Sequence, residues 1–501
     1  MSSYLECSAR QRVQALFDAN SFHEWLPPAQ RLSSPHLAQL GVPSSFDDGV
    51  AIGHALLEGQ TVYVAAQQGE FMGGGVGEVH GAKLTGLLRR AAIDRPAGVL
   101  LLLDTGGVRL HEANAGLIAV SEVMRALLDT RNAGVPVIAL VGGQNGCFGG
   151  MGIVARCCSH RDHVRGRPAV AVRTGSDRNR SRRGGIRFPR PRAEPGPWPG
   201  HPGRAGTGTS VAGTTRGPAA CRAMGSHRES GPDLVASAGA GTKRSSRADG
   251  RCSRQSITQP GGAVMKWETL VQSLFDTQHS ISEQDLFLQG DAEFDGQTLA
   301  VIGTTEHAPI GVALALTQAQ AVLDTIKNHP GRSLLLLVDT QGQQLRRRDE
   351  LLGINRAMAH LGMCLDLARR KGHKVIGLVY DQALSGGFIT SGLIADACYA
   401  LPEAEIRVMR IPAMARVTKL PEAMLEELAQ SNPVFAPGVG NYVAMGGIQS
   451  VWDSSSPEQL RASLRAALAQ SNDQDRRASD GAERGGRRLA AQIIEQVLQA
   501  S

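Results

Sequence analysis

Gly106 and Gly107 follow one apolar run, and Gly149 and Gly150 follow a second. Gly342 and the pair Gly386 and Gly387 stand in corresponding places further along the chain. A buried strand that ends in a glycine turn and opens a helix leaves backbone N–H groups unpaired, where the helix dipole favours negative charge. Two such turns aimed at one thioester oxygen stabilise the oxyanion of an enolate, by about 3 kcal/mol per donor. Taken singly, each glycine is more simply a tight turn or a close packing point. Four turns in repeated register favour a shared catalytic use.

Side chains near these turns supply further candidates. His111 and Glu112 follow Asp104–Thr105–Gly106–Gly107 and are read as a proton shuttle or, more simply, as an exposed pair at a helix start. Arg109 suits a carboxylate or phosphate, with a loop salt bridge as the plain alternative. Gln144 and Asn145 either line the pocket or cap a turn. Gly73, Gly74 and Gly75, ahead of Gly77, form another glycine-rich turn expected to touch substrate. Arg346, Arg347 and Arg348 are a basic run suited to an acidic partner or to phosphates, or simply a solvated face.

The elements that must hold these residues occur twice. Leu100 to Leu103 with Asp104, Thr105 and Gly107 return as Leu334 to Leu337 with Asp339, Thr340 and Gly342. Val137 to Leu140 return as Val375 to Leu378, and each is followed by its double glycine. A period this long excludes a solenoid and implies two copies of one fold. In the first copy the pattern predicts a helix over 8–20, strands over 61–66, 98–104 and 135–141, helices over 78–92 and 113–128, and a turn over 142–152. In the second it predicts strands over 298–304, 333–339 and 375–380, helices over 317–328 and 349–370, and a helix from Ser385. A helix over 421–430, a glycine-rich stretch over 437–447, a solvated linker and an amphipathic helix from Arg487 follow. Strands alternating with helices imply a largely parallel sheet with right-handed crossovers.

The net charge of +7 is unevenly spread. Residues 161–264 hold 20 Lys and Arg against 6 Asp and Glu, which leaves 33 against 40 for the rest. That basic segment is dense in Gly, Pro and Ser and has no apolar period, so it reads as disordered. With only Phe188 and Trp198 for stacking, it is not expected to bind nucleic acid. No apolar stretch of about 18 residues and no charged start with an apolar run occurs, so neither a membrane span nor a secretory signal is expected, and a cytoplasmic location is. The eight cysteines show no CxxC pair and no ligand spacing, so no metal is expected.

GEFMGGGVGEVHGAKL (69–84), DTGGVRLHEA and VGGQNGCFGGMG resemble the carboxyltransferase subunits of acyl-CoA carboxylases, and more closely the beta subunit of malonate decarboxylase. DTQGQQLRRRDELLG and DQALSGGFITSG, within 265–501, resemble the gamma subunit of that enzyme. The resemblance implies an α/β fold of two crotonase-like domains in tandem, 1–160 and 265–501, joined by the basic segment 161–264, which it does not cover. It implies loss of CO2 from malonyl-[acyl carrier protein], with no cofactor bound directly and the substrate carried on a phosphoribosyl-dephospho-CoA group. The implied partners are the acyl carrier protein, the transferase that loads it, and the two halves for one another. By matching positions, Gly106, Gly107, Gly149 and Gly150 hold one oxyanion, and Gly342, Gly386 and Gly387 another. A biotin-dependent carboxyltransferase and a non-catalytic scaffold are the alternatives.

The junction at residue 161 has the mark of a shifted reading frame. The family pattern holds to His160 and then gives way within one residue to Arg, Gly and Pro. One choice of synonymous codons for Arg161 to Arg180, read one base on, gives VIMSEDGRLSLSGPEVIET, a string with strand and turn character. Met265 then reads as the start of a separate gamma subunit, and the first copy lacks the helices that complete its sheet.

Overall fold

The computed structural model describes residues 4–163, 265–471 and 474–500. The expectations placed on 164–264 lie outside the described residues.

In the first half, α1 (Ala9–Leu16) and β1 (His23–Trp25) precede a hairpin of β2 (Val50–Leu57) and β3 (Gln60–Gln67). Then α2 (Glu78–Asp94), β4 (Val99–Leu103), α3 (Ala113–Asn132), β5 (Val137–Val141), α4 (Gly149–Cys157) and β6 (His160–His163) alternate. The sheet order is β1-β2-β3-β4-β5-β6, parallel from β3 onward. Every residue of β4 and β5 is buried, as a parallel strand covered on both faces requires, and this is why both read as unbroken apolar runs.

The second half begins with α5 (Trp267–Phe275), β7 (Ser282–Gln284), and the hairpin of β8 (Phe287–Phe294) and β9 (Gln297–Thr304). β10 (Pro309–Ile310), α6 (Val312–Asn328), β11 (Leu334–Thr340), β12 (Gly342–Gln343), α7 (Arg347–Leu352), α8 (Ile354–Arg370), β13 (Val375–Leu384) and α9 (Ser385–Phe388) follow, and α9 runs into a π-helical turn at Ile389–Leu393. β14 (Ala397–Ala400), β15 (Glu405–Arg407), α10 (Ile411–Thr418), α11 (Glu422–Ser431), α12 (Val439–Ala444), α13 (Pro457–Ala469), α14 (Arg477–Glu483) and α15 (Ala490–Gln499) complete it. Its sheet, β14-β13-β11-β9-β8-β7 with β15 beside β13, repeats the first.

Each sheet therefore carries an antiparallel edge that the expected parallel sheet omitted. Glu58–Gly59 and Asp295–Gly296 both have positive φ, the two-residue turn whose twist suits a hairpin. The single helix expected over 349–370 is two, because Gly353 turns left-handed at φ 79° and ends α7. The solvated linker expected before the C-terminal helix holds α13 and α14, and the glycine-rich 437–447 holds α12.

One hydrophobic core runs through both halves, and each half keeps a further cluster of its own. α15 of the second half lies on α2 of the first, where Gly86 leaves room for Val497. Glu78, on α2, accepts hydrogen bonds from the amides of Leu489 and Ala490 at 2.7 and 3.1 Å, and so caps the start of α15. Arg487 donates through Nη2 to both oxygens of Glu122 on α3 at 2.8 Å, and neither side chain reaches solvent. Truncating one partner of such a pair strands a buried charge. Arg487→Met should destabilise the chain by about 3–5 kcal/mol in urea unfolding, and adding Glu122→Gln should recover much of the loss. Additive losses would show that the two side chains act independently.

Candidate active site

The two turns of each half are stitched together by backbone hydrogen bonds. In the first half, Phe148 N donates to Thr105 O (3.0 Å), Gly106 N to Gly73 O (2.8 Å) and Val76 N to Gly107 O (2.8 Å). A Cβ on Gly107, whose φ is 103°, would stand 2.9 Å from Phe148 O and 3.4 Å from Gly150 N. The turn after β4 and the start of α4 thus touch backbone to backbone, which only glycine allows.

This closeness corrects which amides are available. The Gly106 amide is spent on Gly73 O, and the Gly107 amide donates to Thr105 Oγ1 at 3.0 Å. Val108 pairs with Val76 as a parallel bridge, through Gly107 O and the Arg109 amide, so its own N–H points away from Val76. Val108 and the first-turn amides of α4, at Gly149 and Gly150, are the donors that these turn contacts leave over. Gly149 is exposed, and Gly150 is buried against Val120 and Ile389.

The second half repeats the arrangement with a shift of one residue. Gly342 (φ 98°) lies against Leu384 O and Ser385, and its amide donates to Thr340 Oγ1 at 3.0 Å. Ser385 has φ 52° where Gly149 has φ 54°, and each is the first residue of its helix. Gly149 and Gly150 therefore correspond to Ser385 and Gly386, not to Gly386 and Gly387. Gly387 packs on Gly342 Cα, and the Cβ position of Gly386 faces Ile153, Gln343 and Met358. Gly386 and Gly387 thus hold the contact between helices and turns, and Gln343 takes the place of Val108.

The remaining candidates divide. Gly74 and Gly75 are buried; a Cβ on Gly74 would lie 1.8 Å from Asp104 O, so these two glycines let the loop pack on the β4 turn. Gly73 stays partly exposed. Arg109 is a brace, not a ligand-binding arm: it bonds Asp48, Glu112 and Gly75 O, with no exposed side-chain area. Glu112 is equally closed, accepting from Ser34, Arg109 and the Glu78 amide. Burial, then the Arg109 charge, lowers the His111 pKa, and its ring meets the backbone of Thr418 in α10. Glu112, held by three partners, is not free to exchange a proton with His111. Asn145 caps Asp104 through its amide (2.9 Å) and side chain (3.2 Å). With Gln144, Arg12, Gln68 and Asp104 it lines a cavity of about 70 Å³. Arg346, Arg347 and Arg348 are exposed.

The aspartate that ends the central strand is partnered differently in the two halves. Asp104 faces the buried Arg12 at 2.8 Å. Asp339 faces His307, whose Nδ1 is 2.8 Å from one carboxylate oxygen and whose backbone N–H donates to the other, also at 2.8 Å. The sequence reading missed Arg12 and His307, which lie 92 and 32 residues from their partners.

Fold and site together define a crotonase-like carboxyltransferase architecture, present twice. Residues 305–501 match the family model for the malonate decarboxylase gamma subunit, and residues 6–170 match that of the carboxyl transferase domain. The chain is thus similar to malonate-decarboxylase-related carboxyltransferases, its first half to a carboxyl transferase domain and its second to a malonate decarboxylase gamma subunit. It is 40% identical over 168 residues to the malonyl-S-ACP:biotin-protein carboxyltransferase MADC of Malonomonas rubra, covering 30% of this chain and 52% of that one. MADD, which bears the same enzyme name in that organism, is 34% identical over 151 residues, covering 28% and 52%. The chain thus spans about half the length of the curated relatives it matches. A Pseudomonas malonate decarboxylase hetero-tetramer in complex with malonate is 46% identical, covering 32% of this chain and 60% of that one, with a TM-score of 0.32. No helix among the described residues is long and apolar enough to cross a membrane.

Proposed function

We propose that the chain decarboxylates a malonyl thioester, acting as the beta and gamma parts of a biotin-independent malonate decarboxylase in the cytoplasm. The observation that carries this reading is the twofold stitching of a strand-end turn to a helix start, which leaves amides such as Val108 and Gly149 unspent in one half. The C–C bond to the carboxylate breaks, CO2 leaves, and the electron pair forms an enolate whose oxygen these amides hold. A proton then makes the acetyl thioester. Donors fixed by the fold need no reorganisation as charge develops, which is where their catalytic worth lies. The substrate is the malonyl group on a phosphoribosyl-dephospho-CoA arm of an acyl carrier protein. A transferase subunit loads that arm, and the exposed Arg346, Arg347 and Arg348 suit its phosphates.

The second reading passes CO2 to biotin, and the two Malonomonas relatives, both malonyl-S-ACP:biotin-protein carboxyltransferases, favour it. The two separate cleanly. Malonyl thioester on the carrier should release CO2 without biotin, ATP or added divalent ion, followed as labelled CO2. Strict dependence on a biotin carrier would replace the first reading with the second.

A further inference from the structure

Superposing the hydrogen-bond patterns of the two halves places His307 where the first half has Gly73. Gly106 N donates to Gly73 O at 2.8 Å, and Gln341 N, the residue before Gly342, donates to His307 O at 3.4 Å. Both residues are left-handed, with φ 65° for Gly73 and 52° for His307. A left-handed backbone is strained for a residue with a Cβ, so an imidazole at a glycine position calls for a reason.

Its surroundings supply one. The loop carrying His307 is tied to the second-half turn: Thr340 Oγ1 donates to Ala308 O at 2.6 Å and accepts from Gly342 N. Asp339 is almost fully buried and grips His307 through both Nδ1 and the backbone N–H, while 48% of the imidazole side chain remains exposed. A ring held at Nδ1 by a buried carboxylate presents Nε2 outward, the arrangement of an oriented acid or base. In the first half the corresponding aspartate is paired with the buried Arg12, and Gly73 has no side chain.

We infer that His307, on the loop tied to the second-half turn, delivers the proton to the enolate, with Asp339 as its positioning partner. This rests on the enolate chemistry proposed above. The Nε2–H proton moves to the enolate α-carbon, the oxyanion electron pair re-forms the thioester C=O, and the neutral imidazole takes a proton from water. Partial burial opposes the imidazolium, but Asp339 on β11, Asp381 on β13 and Glu405 on β15 outweigh it and raise the pKa above its ordinary value. His307, Asp339 and Asp381 have ligand atoms within 4.8 Å of one another, but Nδ1 is already spent on Asp339.

The same group must work backwards on product. In D2O the chain should exchange the methyl hydrogens of acetyl-CoA, followed by NMR, at a rate that rises as His307 loses its proton. Loss of CO2 from malonyl-CoA should fall over that same pH range. His307→Asn, chosen because Asn tolerates the left-handed backbone, should lower exchange by about 100-fold and abolish both pH limbs. Asp339→Asn should move both limbs to lower pH. Parental exchange by a folded His307→Asn chain overturns the assignment, as does no exchange by the parent or exchange only with an added divalent ion. If decarboxylation proves to need biotin while His307-dependent exchange persists, the proposed function fails and the proton donor stands.

Discussion

Gly107→Ala should lower malonyl-thioester decarboxylation by about 10²-fold or more while leaving the protein folded. A Cβ there stands 2.9 Å from Phe148 O, closer than real contacts allow, and the residue must hold φ 103°. The turn after β4 then moves away from the start of α4, and the Val108 amide loses its alignment with those of Gly149 and Gly150. Gly59→Ala is the control. Gly59 also has positive φ, 76°, but its Cβ position has nothing within 4 Å, and it lies in the β2–β3 hairpin turn. Both variants carry backbone strain of about 1–2 kcal/mol, so both should lower the melting temperature by a few degrees. Only Gly107→Ala should lose turnover. Equal turnover in the two would mean that the turn only packs, and that oxyanion stabilisation lies elsewhere.

Removing one base after the codon for His160 should convert the gene from one 53.0 kDa chain to two subunits, the second beginning at Met265. The two sheets motivate this proposal. Ser159 Oγ accepts from Val137 N, as Asp396 Oδ2 accepts from Val375 N, so the repeat holds up to the start of the edge strand. The next residues diverge. Ala397, Cys398, Tyr399 and Ala400 of β14 are all buried beside Ile376 to Val379. At the same register β6 presents His160, Arg161, Asp162 and His163, three of them exposed. The alternative frame supplies Val, Ile and Met after His160, and burying each would contribute about 1.5–3 kcal/mol. The carboxyl transferase match ends at residue 170, ten residues past the boundary read from composition. Resequencing with intact-mass measurement decides the matter: a 53.0 kDa product from a gene identical in frame to an intact relative refutes the shift.

Local chemistry alone determined the repeated elements of this protein. Parallel strands covered on both faces are apolar along the covered run, so β4, β5 and the first parts of β11 and β13 stand out in the sequence, as do the glycine turns that follow them. The hairpin turn Asp295–Gly296 was equally readable from its dipeptide, although the expected parallel sheet omitted it. What a side chain does at the site was not readable, because it depends on partners far away in the chain. Arg109 read as a ligand for carboxylate or phosphate or as a loop salt bridge, and is enclosed by Asp48, 61 residues away. Asp104 and Asp339 occupy the same repeat position, and only folding brings a permanent cation to one and a titratable ring to the other. The amide left over at this turn is that of Val108 and not of Gly106 or Gly107, because those two are consumed by Gly73 and Thr105, contacts set by how closely two turns approach. Spacing along the chain fixes which backbone groups an element leaves over; packing between elements decides which of them remain unspent.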